Sequence, residues 1–294
     1  MRGSKTLLQG LHFDRRLGVR AFVGLPASLS DFITIHAYRM FFIRIRRELR
    51  LRGFATAMLF SDAAEAKTAV LSERLKAYEI DTVLWFQPPT EAKETAARLG
   101  DLGIRLIGIA HEYTPVIPCR YQVHRDNAIK ALLAQWKAPG GINHVTLVRS
   151  HDARVSALEE RLRSALDDLG IKSTVAVFEG KRSEPFLRSL QKLKTGGIIF
   201  ASARVASKLC FRAPSAVGDL VSSQRIAFLN GPVSMPFARI PDVRADLVVV
   251  DWQLVAERIV NDLITQDAFT QPGPTIFEAD AKLCVPLSDF AQNI

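Results

Sequence analysis

The sequence of 294 residues has little of what marks membrane, secreted or metal-dependent proteins. No stretch approaches the roughly 18 apolar residues that a membrane span needs, and residues 1–16 lack the apolar core of a signal peptide. Its three cysteines, Cys119, Cys210 and Cys284, lie far apart without paired spacing. That spacing argues against a disulfide or zinc framework and favours reduced thiols. We therefore expect a cytoplasmic protein with no membrane partner and no bound metal.

Motifs that carry catalysis are missing as well. The sequence contains no G-x-G-x-x-G, no G-x-x-x-x-G-K-[ST] and no H-E-x-x-H. His111 and Glu112 are adjacent, but no nucleophile or metal-spaced partner accompanies them. The pair Gly196-Gly197 opens a predicted strand and is interpreted as a turn rather than as a phosphate-binding loop. We expect no enzymatic activity and no cofactor.

What is present is a globular composition with an excess of positive charge. The hydrophobic fraction of 48% and charged fraction of 23% are typical of soluble domains, and the chain is long enough for two lobes. The net charge of +9 suggests an acidic partner, with nucleic acid the first candidate. Six arginines lie on the first predicted helix: Arg39, Arg44, Arg46, Arg47, Arg50 and Arg52. The alternative is a solvated basic edge, which charge runs more often are.

The stretch from Leu17 to Asp62 predicts a βαβ unit. An apolar run over residues 19–25 suits a buried strand, and a helix is predicted over about 31–52, ending at Gly53. A second apolar run over residues 54–60 gives the next strand. Strands connected in this way are expected to be parallel neighbours.

The first predicted helix has two apolar faces. One stripe recurs at helical spacing and is expected to lie on the sheet: Ile35, Tyr38, Phe42, Ile45 and Leu49. Ile33, Met40 and Leu51 occupy the opposite side, with Phe41 between the two. This second face predicts either a homodimer interface or burial under another element of the same chain.

The alternation of strands and helices continues along the whole chain, which predicts two doubly wound parallel-sheet lobes of the α/β class. The proline-containing stretch HEYTPVIPCR interrupts the alternation and is expected to cross between lobes. The expected domains are an arm over 1–16, a first lobe over 17–116 plus about 251–272, and a second lobe over 117–250 plus about 273–294.

Several segments in order carry a resemblance to a known family: RLGVRAFVGL, RRELRLRGF, DTVLWFQPP, INHVTLVRS, GGIIFASARVA, RIAFLNG and DWQLVAERIVNDLI. The chain resembles the effector-binding core of the LacI/GalR family of transcription regulators, which is similar to type I periplasmic sugar-binding proteins. The resemblance implies two lobes joined by crossover strands, a homodimer, and a small-molecule effector in the interlobe cleft.

The chain departs from this family at its start. Members carry a helix-turn-helix headpiece of about fifty to sixty residues before the first strand, whereas about sixteen residues precede it here, too few for that motif. We therefore expect contact with DNA only through a headpiece that this chain does not contain. The alternatives are a solute-binding protein of the same fold without a role in transcription, or a scaffold with a degenerate pocket.

The sugar-binding positions depart from the family too. The family's R-x-x-G pattern falls on Leu158 and Arg161, and its Asn-Asp pair on Ser202 and Ala203. The acid expected after RIAFL is replaced by Asn230. Because such pockets hold hydroxyls with carboxylates and amides, these changes argue against a simple free sugar.

The remaining candidates for ligand binding follow the carboxyl ends of the predicted strands, where open α/β sheets bind ligands. They are Ser28, Phe32, Gln87, His111, Glu112, Arg154, Ser202, Asn230 and Trp252. Trp252 stands where the resemblance implies an aromatic ring stacked on the ligand. We expect a small polar effector such as a modified or acidic sugar, and expect Trp252→Ala to abolish its binding without harming the unliganded fold.

Overall fold

The computed structural model describes most of the chain. The described residues are 21–29, 32, 36–61, 69–88, 92–110, 117–138, 141–151, 157–193, 196–231, 244–265 and 272–286.

The first lobe is built on a six-stranded parallel sheet. Its order is β11-β5-β4-β3-β1-β2. The strands are β1 (Phe22–Ser28), β2 (Ala55–Ser61), β3 (Thr82–Phe86), β4 (Arg105–Ala110), β5 (Cys119–His124) and β11 (Thr275–Glu278). The helices that alternate with these strands are α1 (His36–Leu51), α2 (Ala69–Ala77) and α3 (Ala92–Asp101). A late helix, α9 (Trp252–Thr265), packs against α1.

Helix α1 buries the apolar stripe that the sequence predicts. Tyr38, Phe42, Ile45 and Leu49 are all buried, while Ile35 lies outside the described residues. The helix stops at Gly53, whose φ of 81° lies in the left-handed region that glycine adopts at low cost. Its N–H donates to the Arg50 carbonyl, which closes the last turn.

The second lobe holds a six-stranded sheet of order β12-β10-β9-β8-β6-β7. Its strands are β6 (His144–Ser150), β7 (Lys172–Phe178), β8 (Gly197–Phe200), β9 (Arg225–Gly231), β10 (Arg244–Val249) and β12 (Asp280–Pro286). All pairs are parallel except β10 with β12. The helices are α4 (Asp126–Lys137), α5 (Ala157–Asp168), α6 (Ser183–Gln191), α7 (Ala203–Arg212) and α8 (Pro214–Ser223).

The prediction of two doubly wound, mostly parallel α/β lobes is therefore confirmed. The lobe boundaries differ from those expected, because residues 119–124 and 275–278 join the first sheet. Strand β5 pairs with β4 on one side and with β11 on the other, and its side chains alternate between buried and half-buried because successive residues face opposite sides of the sheet. The chain consequently crosses to the second lobe after His124, rather than in the proline-containing stretch before β5.

The buried carboxylate of Asp246 stabilises β12, the antiparallel edge strand of the second sheet. Asp246 accepts hydrogen bonds from Trp136 Nε1, from Arg225 Nε at 2.9 Å and from the backbone N–H of Cys284 at 2.7 Å. These bonds join α4, β9 and β12 around β10. Gly197 is the first residue of β8 and not part of a turn, and a Cβ there would come within 2.5 Å of the Trp136 ring, so this close approach requires glycine.

Candidate functional site

The carboxyl edges of the two sheets lie next to each other, as the short connection between β11 and β12 shows. Strand β11 ends at Glu278, at the carboxyl edge of the first sheet, because it is parallel to β5. Only Ala279 separates it from β12, whose first residue, Asp280, pairs with Val249 at the carboxyl end of β10. The remaining crossings, from β5 to α4 and from β10 to α9, also leave carboxyl ends. The space between the edges is therefore where an α/β ligand site is expected.

An aromatic cluster closes the first-lobe side of this edge. Phe41 of α1 stacks on Phe86 at the end of β3, with ring centroids 4.4 Å apart. Trp252, the first residue of α9, meets both rings edge-on, at 5.4 Å from Phe86 and 5.9 Å from Phe41. The Trp252 side chain is only 5% exposed. The indole therefore forms part of the first lobe's core, so the expectation that Trp252→Ala spares the unliganded fold is not supported.

Tyr38 ties helix α1 to the end of β1. Its hydroxyl accepts a hydrogen bond from the backbone N–H of Ser28 at 3.0 Å, and its ring packs against Phe42 and Phe86. Phe32 contacts Phe42 and lies edge-on to Phe60 at 5.4 Å. The two predicted residues Ser28 and Phe32 thus belong to one aromatic wall at this edge.

Gln87 leaves the first sheet in a strained conformation. Its φ of 51° lies in the left-handed region, which costs a non-glycine residue about 1–2 kcal/mol. Its N–H still donates to the Ile109 carbonyl at 2.9 Å, so the backbone turns immediately at the end of β3. Residues strained in this way cluster at functional sites, which keeps Gln87 among the candidates for ligand binding.

Ser202 has a structural role in the second lobe. It is the N-cap residue of α7, with extended backbone angles, and its Oγ accepts a hydrogen bond from the Val205 N–H. Such caps stabilise helices by about 1 kcal/mol.

An ion cluster around one buried carboxylate, at the end of β6, escaped the sequence prediction. Glu159, in the first turn of α5, is buried and accepts from Arg163 at 2.7 Å, with Arg149 at 3.8 Å. Arg149 is the next-to-last residue of β6 and is 28% exposed, so it is a cation at the carboxyl edge of the second sheet. The signal in the sequence was an arginine directly after the run HVTLV.

The other predicted positions fall outside what the structure describes. His111, Glu112, Arg154 and Ile33 are not among the described residues, and of Asn230 only the backbone, near the end of β9, is described. Met40 is partly buried against the core, whereas Leu51 is exposed.

Two of the cysteines have buried thiols of low reactivity. Burial raises the pKa of Cys119 to about 11, and burial raises the pKa of Cys210 well above its ordinary value. Neither forms appreciable thiolate near neutral pH. Within the described ranges, no group of three His, Cys, Asp or Glu side chains is arranged to hold a metal ion. No helix of this part of the chain is long and apolar enough to cross a membrane.

Comparison with known proteins gives structural neighbours only. No family model and no curated protein matches the sequence. The LacI family transcriptional regulator from Arthrobacter sp. FB24, also solved in complex with lactose, superposes with a TM-score of 0.68 at 18% identity over 91% of this chain and 99% of its own. The transcriptional regulator CelR in complex with cellobiose gives 0.63 at 17%, over 93% of this chain and 88% of its own.

A third neighbour is the Cra transcriptional dual regulator from Pseudomonas putida in complex with fructose 1-phosphate. It gives a TM-score of 0.62 at 14% identity, over 90% of this chain and 98% of its own. At these identities the similarity establishes the fold. The predicted resemblance to LacI-family sensor cores is confirmed at that level.

Proposed function

We propose that this chain is the effector-sensing and dimerising core of a LacI/GalR-type transcription regulator. The observation that carries the proposal is the meeting of two carboxyl edges, in a fold shared with regulators solved with lactose, cellobiose and fructose 1-phosphate. A ligand that contacts both edges favours the closed arrangement of the lobes. Because the ligand binds the closed arrangement more tightly than the open one, it shifts the population of molecules towards the closed arrangement.

The effector in this proposal is a small polar molecule, a sugar or a sugar derivative with one acidic group. Gln87 supplies an amide at the first edge, and Arg149 supplies a guanidinium at the second, with Glu159 holding it in place. A guanidinium pairs with a carboxylate or phosphate through two parallel hydrogen bonds. The aromatic wall around Phe32 offers the apolar face on which sugar rings stack.

A thermal-shift screen tests the effector. Lactose, cellobiose, fructose 1-phosphate and a panel of sugar acids are added to the purified chain. An effector at 100 times its Kd is expected to add about 2.7 kcal/mol to the free energy of unfolding. Gln87→Ala and Arg149→Gln are expected to abolish the shift, whereas Gln135→Ala, on an exposed position of α4, leaves it intact. If no compound shifts the midpoint, the sensing role is wrong and the scaffold alternative replaces it.

His111, Glu112, Arg154 and Asn230 remain candidate ligand contacts in this proposal. Their alanine variants enter the same assay once an effector is found. A variant that keeps the full shift is thereby removed from the binding set.

The dimer interface in this proposal is the outer face of α1 together with α9. Leu51 is 67% exposed and Leu254 is 57% exposed, and Ile43 adds a third exposed apolar side chain. The two helices are fastened together, because Gln253 donates to Glu48 across them at 2.9 Å. Met40 lies at the base of this face and Ile33 belongs to the same predicted set. In a two-fold dimer this patch meets its own copy.

Sedimentation of paired glutamate variants tests the interface. Leu51→Glu with Leu254→Glu places unpaired charge in the patch and is expected to give monomers. Phe211→Glu, at an exposed apolar position of the second lobe, serves as the matched control and is expected to leave the dimer intact. A wild-type chain that is already monomeric at high concentration would contradict the proposal.

A further inference from the structure

The starts of four strands in the first sheet form one edge, which we term the amino edge. The register places Phe22 beside Ala55, Val23 beside Thr82, and Thr82 beside Arg105. The chain enters β2, β3 and β4 directly from the ends of α1, α2 and α3. The carboxyl ends of these three helices therefore lie together at the amino edge, away from the effector site.

This edge carries more cations than carboxylates. Its exposed cations are Arg50, Arg52, Lys76, Arg98 and Arg105. Its carboxylates are Glu79, Asp81 and Asp101, and Asp81 already accepts a hydrogen bond from the Phe22 N–H at 3.0 Å. Arg50, Arg52, Lys76 and Arg98 form no ion pair with any residue that the structure describes. A helix dipole favours a cation at the carboxyl end of each helix, and the cations of three helices gather on one surface because the three helix ends share this edge.

The residues that precede β1 add charge of the same sign. The first twenty residues contain five cations and one carboxylate: Arg2, Lys5, Arg15, Arg16, Arg20 and Asp14. The chain leaves this segment at Ala21 and enters the sheet at Phe22, which belongs to the amino edge. The basic character of the edge is therefore continuous with that of the adjoining sequence.

We infer that the amino edge binds the phosphate backbone of duplex DNA without reading its sequence. Four of its five exposed cations are arginines, whose planar fork matches phosphate oxygens. The four strands span roughly 14 Å, close to the ~12 Å width of the major groove, so cations from different helices reach phosphates on both sides of it. This contact requires no headpiece, in contrast to the expectation from the sequence, and no effector.

An anionic membrane is the competing partner. Leu51 and Leu102 are exposed apolar side chains at this edge, and Leu51 also belongs to the dimer patch proposed above. Two such side chains give little area to bury, and membrane binding by surface elements scales with that area. The observations therefore favour DNA, and vesicles enter the experiment as its second arm.

Fluorescence anisotropy with a labelled 30-base-pair duplex of mixed sequence tests the inference on the full chain. With about five phosphate contacts, the logarithm of the association constant should fall with the logarithm of salt with a slope of about −4.5. Between 50 and 200 mM salt the affinity should fall by about 500-fold. The triple variant Arg50→Gln, Arg52→Gln, Arg98→Gln should reduce the magnitude of the slope by nearly three.

A charge-matched control separates the edge from overall charge. Lys172→Gln, Lys181→Gln and Lys192→Gln remove the same charge from exposed positions of the second lobe, and the wild-type slope should persist. A second test variant, Lys76→Gln with Arg98→Gln, leaves α1 unchanged and should reduce the slope by nearly two. The melting midpoint of each variant verifies its fold.

Three results would overturn the inference. One is a wild-type chain that does not bind the duplex at 50 mM salt. Another is a control variant that loses as much binding as the amino-edge variants. The third is binding to phosphatidylserine vesicles without binding to DNA, which would assign the edge to a membrane. The effector screen is independent of all three, so either proposal can fail alone.

Discussion

Replacing Trp252 by alanine is expected to destabilise the protein even without a ligand. The indole is 5% exposed and lies edge-on to Phe41 and Phe86, so the substitution leaves a cavity among aromatic rings. Truncating a buried tryptophan costs about 3–5 kcal/mol, part of it from the cavity itself. Trp252→Phe retains an aromatic ring in the site and is expected to cost about 1–2 kcal/mol.

Urea denaturation and thermal melting, both without ligand, measure these costs. For a chain of this size the alanine variant is expected to lower the melting midpoint by about 6–20 °C. A double-mutant cycle with Phe86→Leu isolates the ring–ring contribution, which is expected to be about 0.5–1.5 kcal/mol. Phe200→Leu, in the second lobe, is the control partner because Phe200 pairs with Phe228 and not with Trp252.

A cost below about 1 kcal/mol for Trp252→Ala would refute this reasoning, because a side chain with that cost is not a core side chain. The indole would then be available to stack on a ligand, as the sequence resemblance implied. A full cost instead makes Trp252→Phe the appropriate variant for ligand studies.

Four further outcomes are expected. Gln87→Gly should melt no lower than wild type, because glycine adopts a positive φ freely, whereas Gln87→Val should melt lower, because a β-branched residue is more strained there than glutamine. Ser202→Ala should cost about 0.5–2 kcal/mol and Ser202→Asp much less in thermal melts, because aspartate also caps. A thiol reagent should modify Cys284 in the folded protein, and Cys119 and Cys210 only after unfolding. Burial raises the pKa of Cys119 to about 11, against 9.0 for a free thiol. Because the thiol then ionises more readily in the unfolded chain, the melting midpoint should fall as the pH rises from 9 to 11, and Cys119→Ala should remove this part of the fall.

Much of the fold could be predicted from the sequence, because the alternation of strands with helices and the residues that end helices are local signals. The run TVLWF matches β3 to the residue, and Gly53 ends α1 as expected. Strand β5 was missed because its polar residues alternate with buried ones beside two prolines, which resembles a loop. Its other partner besides β4 is β11, some 150 residues later, and no local pattern encodes that pairing.

The candidate site was harder to predict, because the type of a residue does not show whether it contacts a ligand or stabilises the fold. Ser202 followed a strand as a ligand contact would, yet its hydroxyl caps a helix. Trp252 stood at the expected ring position, yet its neighbours Phe41 and Phe86 come from distant segments that surround it. Arg149 was overlooked because its contact with Glu159 forms only once α5 packs on the sheet.

The three crossings between the lobes also limit how the lobes can move. They are short, at residues 124–126, 249–252 and 278–280, and the Ala279 N–H donates to the His124 carbonyl at 2.9 Å, which links the first to the third. Short connections that run side by side allow the two lobes to rotate relative to each other about one axis and resist rotation about the other axes. The amino edge is then the far end of a lever about one strand long, roughly 23 Å. A rotation of about 15° at the hinge displaces that end by about 6 Å, more than one residue along a strand.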